Sequence, residues 1–93
     1  MIHLLITHRV ENYTAWKQIF DNASCIRKAA GEISYQVFRY DNDPDKIAHL
    51  SIWDDKHTAK LFFGSPQLVK IRADAGVRSS EFIYLNLLEA GAL

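Results

Sequence analysis

Two histidines and two arginines are the residues of this 93-residue chain best suited to chemistry. His8 closes an apolar N-terminal run, and His49 opens a second apolar run. If those runs are antiparallel neighbours, the two imidazoles can approach each other. A neutral imidazole can take a proton from a phenol near neutral pH, so His8 and His49 are acid-base candidates. Each also has a structural reading as a half-buried histidine held by hydrogen bonds. Whether they share a face depends on register, because a slip of one residue reverses every side chain. Plain alternation groups His8 with Ile2, Leu4 and Ile6. No third ligand accompanies the pair, so no metal site is expected.

Arg27 falls in the apolar stripe set by Trp16, Phe20 and Ala23. Its stem can pack while its head pairs with an acid such as Asp21 or Glu81, or it can receive a substrate carboxylate. Arg72 interrupts the stripe of Leu68, Ile71 and Ala75 in the same way and is a candidate polar anchor. Trp53 and Phe62 are candidate ligand walls, although aromatics at such positions serve more often as core. Asp41, Asp43 and Asp45 alternate like calcium ligands but lack the glycine and distal glutamate of a calcium loop, and Pro44 suits a solvated turn. Cys25 has no activating base nearby and reads as structural. There is no phosphate-binding glycine loop, no CxxC and no Ser-His-Asp signature.

These residues need elements to position them. Ile2 to Val10 reads as strand 1. Asn12 is a helix N-cap, and Tyr13, Trp16, Phe20, Ala23 and Ala30 recur at helical spacing until Gly31. One helix from Tyr13 to Ala30 is therefore expected. Ile33 to Tyr40 is strand 2, residues 41–45 form a turn by composition, and Ile47 to Trp53 is strand 3. Asp54 or Asp55 caps a short helix ending near Phe63. Gly64-Ser65 breaks the pattern, Pro66 opens another helix, and Gly76 stops it. Ser80 to Leu88 reads as strand 4, with residues 89–93 as a frayed tail.

The order β-α-β-β-α-β is the split βαβ, or ferredoxin-like, arrangement: an α+β sandwich with an antiparallel sheet and strands 1 and 3 central. Helices cover one face. The other is expected to carry Tyr35, Val37, His49, Ser51, Trp53, Phe82 and Tyr84, too apolar to leave in water. A second copy of the same sheet is the economical cover.

Length implies a single domain, 1–93. The formal net charge is zero, with Lys and Arg scattered, which argues against nucleic acid. No apolar run approaches the roughly 20 residues that span a bilayer. The first residues lack a basic leader, and one cysteine cannot form an internal disulfide. A cytoplasmic protein without membrane attachment is expected.

Read together, these residues resemble the dimeric α+β barrel superfamily in its antibiotic-biosynthesis-monooxygenase-like branch. The resemblance rests on His8-Arg9-Val10 with Tyr13 and Trp16, Phe20-Asp21, Arg27 and Gly31. It continues through Asp43-Pro44, Trp53, Ala59, Phe62, Ser65-Pro66, Leu68 and Ala75-Gly76-Val77. It implies a homodimer whose sheets face each other, each protomer keeping a small-molecule pocket between sheet and helices. It implies a cofactor-independent monooxygenase, or a proton-shuffling isomerase, acting on a phenolic or cyclic apolar substrate. His8 and His49 would then be catalytic, and Trp53, Phe62 and Arg72 would bind the ligand. The heme-degrading members carry Asn, Trp and a ligand His where this chain has His8, Phe62 and Arg72. A guanidinium cannot replace imidazole on iron, so no cofactor is expected. The alternative is a non-enzymatic stress-type or sensing dimer. The two differ in cavity volume: a space of a few hundred cubic ångströms with convergent polar groups marks a ligand site, and a filled core does not.

Overall fold

A computed structural model describes residues 1–93. The elements run β1 (Ile2–Val10), α1 (Tyr13–Asn22), α2 (Ser24–Ala30), β2 (Glu32–Tyr40), β3 (Asp43–Trp53), α3 (Lys56–Phe63), α4 (Pro66–Asp74) and β4 (Val77–Leu85). The four strands form one antiparallel sheet in the order β2-β3-β1-β4, with helices on one face. This is the ferredoxin-like α+β architecture expected from the sequence, with strands 1 and 3 central.

Local chemistry sets most boundaries. The Asn12 side chain accepts from Ala15 N at 2.9 Å, and Asp55 accepts from His57 N at 2.9 Å. Each satisfies a backbone donor that the first helical turn leaves free. Ser65 caps α4, with Pro66 in its first turn. Gly31 and Gly76 take φ of 125° and 77°, a region where a side chain is strained, so the chain turns there into β2 and β4.

Three boundaries differ from expectation. The helix expected from Tyr13 to Ala30 is two helices, broken at Ala23 (φ −89°, ψ 4°). There the Phe20 carbonyl accepts from the Arg27 guanidinium, so that side chain satisfies backbone at the break. The turn between β2 and β3 is only Asp41-Asn42, and β3 begins at Asp43. β4 begins at Val77 rather than Ser80 and ends at Leu85.

The sheet faces are the larger correction. Ile47, His49, Ser51 and Trp53 are all buried, and they lie on the helix-covered face with Ile2, Leu4, Ile6 and His8. Phe82, Tyr84 and Val37 pack against the same core, and Tyr35 meets Phe20 edge-on. The residues assigned from sequence to the open face thus face the helices. The open face carries the alternate set, including Leu5, Phe38, Ala48, Leu50, Ile52, Ile83 and Leu85. Of these, Phe38, Ile83 and Leu85 are each more than two-fifths exposed.

The core has two parts. Ile2, Leu4, Ile6, Trp53, Ala59 and Phe63 form one cluster; Val10, Trp16, Phe20, Ile47 and Ala75 form the other. Along β1, His8 falls between them, and along β3, His49 and Ser51 do. The candidate chemistry therefore sits at a seam in the apolar core.

Candidate functional site

The seam holds a buried polar network around Glu32. A β-bulge between Glu32 and Ser34 opens β2, and Glu32 pairs with Trp53 across the hairpin. Its carboxylate lies along β3. Glu32 Oε1 accepts from Arg27 Nε at 2.7 Å, and Oε2 accepts from His49 Nε2 at 2.9 Å and from the Ser51 hydroxyl. Trp53 Nε1 donates to Ser51 Oγ at 2.6 Å, extending the chain of bonds into the core. The Arg27 guanidinium also stacks 3.6 Å from the centre of the Phe20 ring. Burial pushes the Glu32 carboxyl up, but hydrogen bonds from His49, Ser51 and Arg27, with the His49 charge, more than offset it. The carboxyl is held below its ordinary range and is ionised at neutral pH.

An ionised carboxylate only accepts hydrogen bonds, so His49 Nε2 carries a proton. In the neutral ring Nδ1 then keeps its lone pair. His8 Nδ1 lies 2.8 Å from Ser80 Oγ on β4. Burial, then the charges of His49 and Arg72, lower the His8 pKa to about 4. His8 is therefore uncharged at neutral pH and a weak base, better suited to hydrogen bonding than to holding a proton. His8 Nε2 and His49 Nδ1 make no bond within the protein, and neither is sealed off.

Both rings line one small cavity between sheet and helices. Trp16, Phe20 and Phe63 are its aromatic walls, Ile71 and Leu68 close it from α4, and Arg72 stands at its edge. The cavity measures about 50 Å³. At roughly 10–15 Å³ per water, that holds a few waters rather than a fused ring system. Arg72 donates from Nη1 to the Phe63 carbonyl at 2.9 Å.

The structure therefore brings His8, His49 and Arg72 together at one cavity. Trp53 and Phe62 do not line it; they contact Phe63, which does. Arg27 pairs with an acid as one sequence reading held, but the acid is Glu32 rather than Asp21 or Glu81. Glu32 and Ser51 were missed. The signal was present in β3, where Ile47, His49, Ser51 and Trp53 alternate as one face. Two polar residues on a buried face require a partner.

The chain has the fold of several solved structures. It superimposes on SnoaB, a cofactor-independent oxygenase from Streptomyces nogalater, with a TM-score of 0.78 and 10% identity, covering 96% of this chain and 94% of that one. It matches an antibiotic biosynthesis monooxygenase with a TM-score of 0.73 and 9% identity over 96% of this chain and 100% of that one. It also matches PA3566 from Pseudomonas aeruginosa with a TM-score of 0.69 and 14% identity over 95% and 94% of the two chains. No protein-family model and no curated protein matches the sequence. The likeness is one of fold, and it agrees with the resemblance read from the sequence.

Proposed function

We propose that this chain is a small-molecule enzyme of the cofactor-independent oxygenase type, with the Glu32–His49 pair as its base. The observation that carries this reading is the carboxylate–imidazole pair itself, whose unbonded ring nitrogen belongs to a residue lining an apolar cavity. The carboxylate fixes the imidazole tautomer and stabilises the charge it gains on accepting a proton. His8, uncharged beside it, offers a second hydrogen-bonding nitrogen, and Arg72 anchors an oxygen at the edge. Removing a phenol proton leaves an electron-rich ring that can reduce dioxygen directly. One oxygen atom enters the ring as a carbonyl and the other leaves as water, with every electron supplied by the substrate. The same pair, without oxygen, would move a proton between carbons of a cyclic ketone. Similarity of fold to a cofactor-independent oxygenase supports the first of these.

The chain is further proposed to work as a homodimer joined through the open face. The apolar side chains there would otherwise remain in water. No helix is long and apolar enough to cross a membrane. Cys25 is free and exposed, which suits the reducing cytoplasm proposed as its setting.

The small cavity favours a second reading, a non-enzymatic stress-type or sensing dimer with structural histidines. An oxygen electrode separates the two. With the single-ring phenols phenol and 3-methylphenol as probes, the oxygenase consumes oxygen, and His49→Gln slows uptake about a hundredfold or more. No uptake by the folded dimer with any phenol, or uptake unchanged in His49→Gln, overturns the oxygenase reading.

A further inference from the structure

A groove of about 320 Å³ runs outside the cavity, between α3, α4 and the edge strand β4. Phe63 and Arg72 line both spaces. Phe82 and Tyr84 project from β4 as its aromatic floor, and Lys60 faces them from α3. The Phe63 and Phe82 rings meet with centroids 5.6 Å apart. Lys60 Nζ lies 5.5 Å from the Tyr84 ring centre, Lys56 Nζ lies 5.1 Å from it, and the Arg72 guanidinium lies 5.4 Å from Phe82.

The charge here is uncompensated. No acid lines the groove, and none of Lys56, Lys60 and Arg72 takes part in an ion pair. Arg72 spends one of its five donors on the Phe63 carbonyl and has the rest available. Its partial burial disfavours a bare charge, a cost that an arriving anion would relieve. Aromatic floor and cationic rim together match a flat ligand with an anionic end.

We propose that this groove binds a planar aromatic carboxylate, with its ring on Phe82 and Tyr84 and its carboxylate between Arg72 and Lys60. Arg72 forks onto the two carboxylate oxygens, while Lys60 adds a point charge and Tyr84 and Phe82 supply stacking area. The groove and the cavity share Phe63 and Arg72, so a carboxylate held by Arg72 sits beside the cavity that His8 and His49 line. This assignment rests on the small-molecule reading above and narrows its substrate to an acid.

The test is a titration of the full chain with 1-naphthoate, followed by NMR, beside the uncharged 1-naphthalenemethanol. Shifts centred on Phe82, Tyr84 and Lys60 are expected, with the acid bound about tenfold or more tighter than the alcohol. Lys60→Gln should weaken naphthoate several-fold and leave the alcohol unchanged. Arg72→Lys, which keeps the charge but loses the fork, should weaken it further and preserve the fold. His49→Gln should leave naphthoate affinity intact, so failure of the base assignment would not remove groove binding. Equal affinity for acid and alcohol overturns the proposal. So do shifts confined to other surfaces, or naphthoate binding untouched by Lys60→Gln and Arg72→Lys.

Discussion

Glu32 and His49 stand 17 residues apart in sequence and meet at 2.9 Å in the interior of the sheet–helix layer. The contact exists because the bulge that opens β2 turns Glu32 toward the helices, and its carboxylate then extends along β3 past Ser51. Arg27 closes the network from α2, and the break at Ala23 lets it bond both Glu32 and the Phe20 carbonyl. One buried anion thereby organises the end of α1, the start of β2 and the middle of β3.

Removing that anion should be costly. Glu32→Gln leaves the Arg27 charge buried without a partner, and the expected loss is about 3–5 kcal/mol of unfolding free energy. The double variant Glu32→Gln, Arg27→Met should recover part of it, because no bare charge remains. Urea denaturation of the three proteins measures both effects. A single variant as stable as the parent would show that the network contributes nothing.

Acid should weaken the fold through His8. In the unfolded chain His8 titrates near 6.5, and in the folded protein near 4. Between those values the unfolded state binds the extra proton, so stability is complete above about pH 6.5 and falls as the pH drops toward 4. The shift corresponds to about 3–4 kcal/mol at most. Glu32, held below the usual carboxylate range, adds to the same slope at still lower pH. Urea midpoints measured across this window should slope in the parent and flatten in His8→Leu. Parallel slopes in the two proteins would remove His8 as the cause.

Backbone strain gives an independent check on the turn into β2. Gly31 holds φ at 125°, and an added Cβ would lie 3.4 Å from both Trp53 and Thr58. The space is ordinary, so the cost of Gly31→Ala should come from the dihedral, about 1–2 kcal/mol. Thermal melting measures it. A neutral substitution would mean that the turn relaxes to negative φ.

The open face should hold the proposed dimer together. Leu50 lies on the central strand β3, opposite Leu5 on β1 and Gln36 on β2. Leu50→Glu puts a charge in the middle of that face without touching the helix-side core. Light scattering should show a dimer for the parent and a folded monomer for the variant. A parent that is monomeric at micromolar concentration would rule the interface out.

Much of the architecture was legible because its signals are local. Asn12, Gly31, Ser65-Pro66 and Gly76 each announce a boundary through their own backbone or capping chemistry, and hydrophobic period separates helices from strands. The side of the sheet was not legible from β3 alone. His49 and Ser51 look like surface residues, and their burial is tolerated because a distant carboxylate bonds both. Register would have settled it: Ile6 pairs with His49 and Leu4 with Ser51, so these share the face of the N-terminal apolar set. His8 and Arg72 were identifiable because each breaks an apolar pattern. Glu32 breaks none, and its role comes entirely from the fold.

The most direct test of the Glu32–His49 base is nitrogen-15 NMR of the imidazole rings in the parent and in Glu32→Gln. In the parent, the neutral form of His49 should carry its proton on Nε2, with Nδ1 unprotonated, and should lose that preference when the carboxylate is gone. A parent His49 protonated on Nδ1, or a tautomer indifferent to Glu32→Gln, would contradict the assignment of this pair as the base.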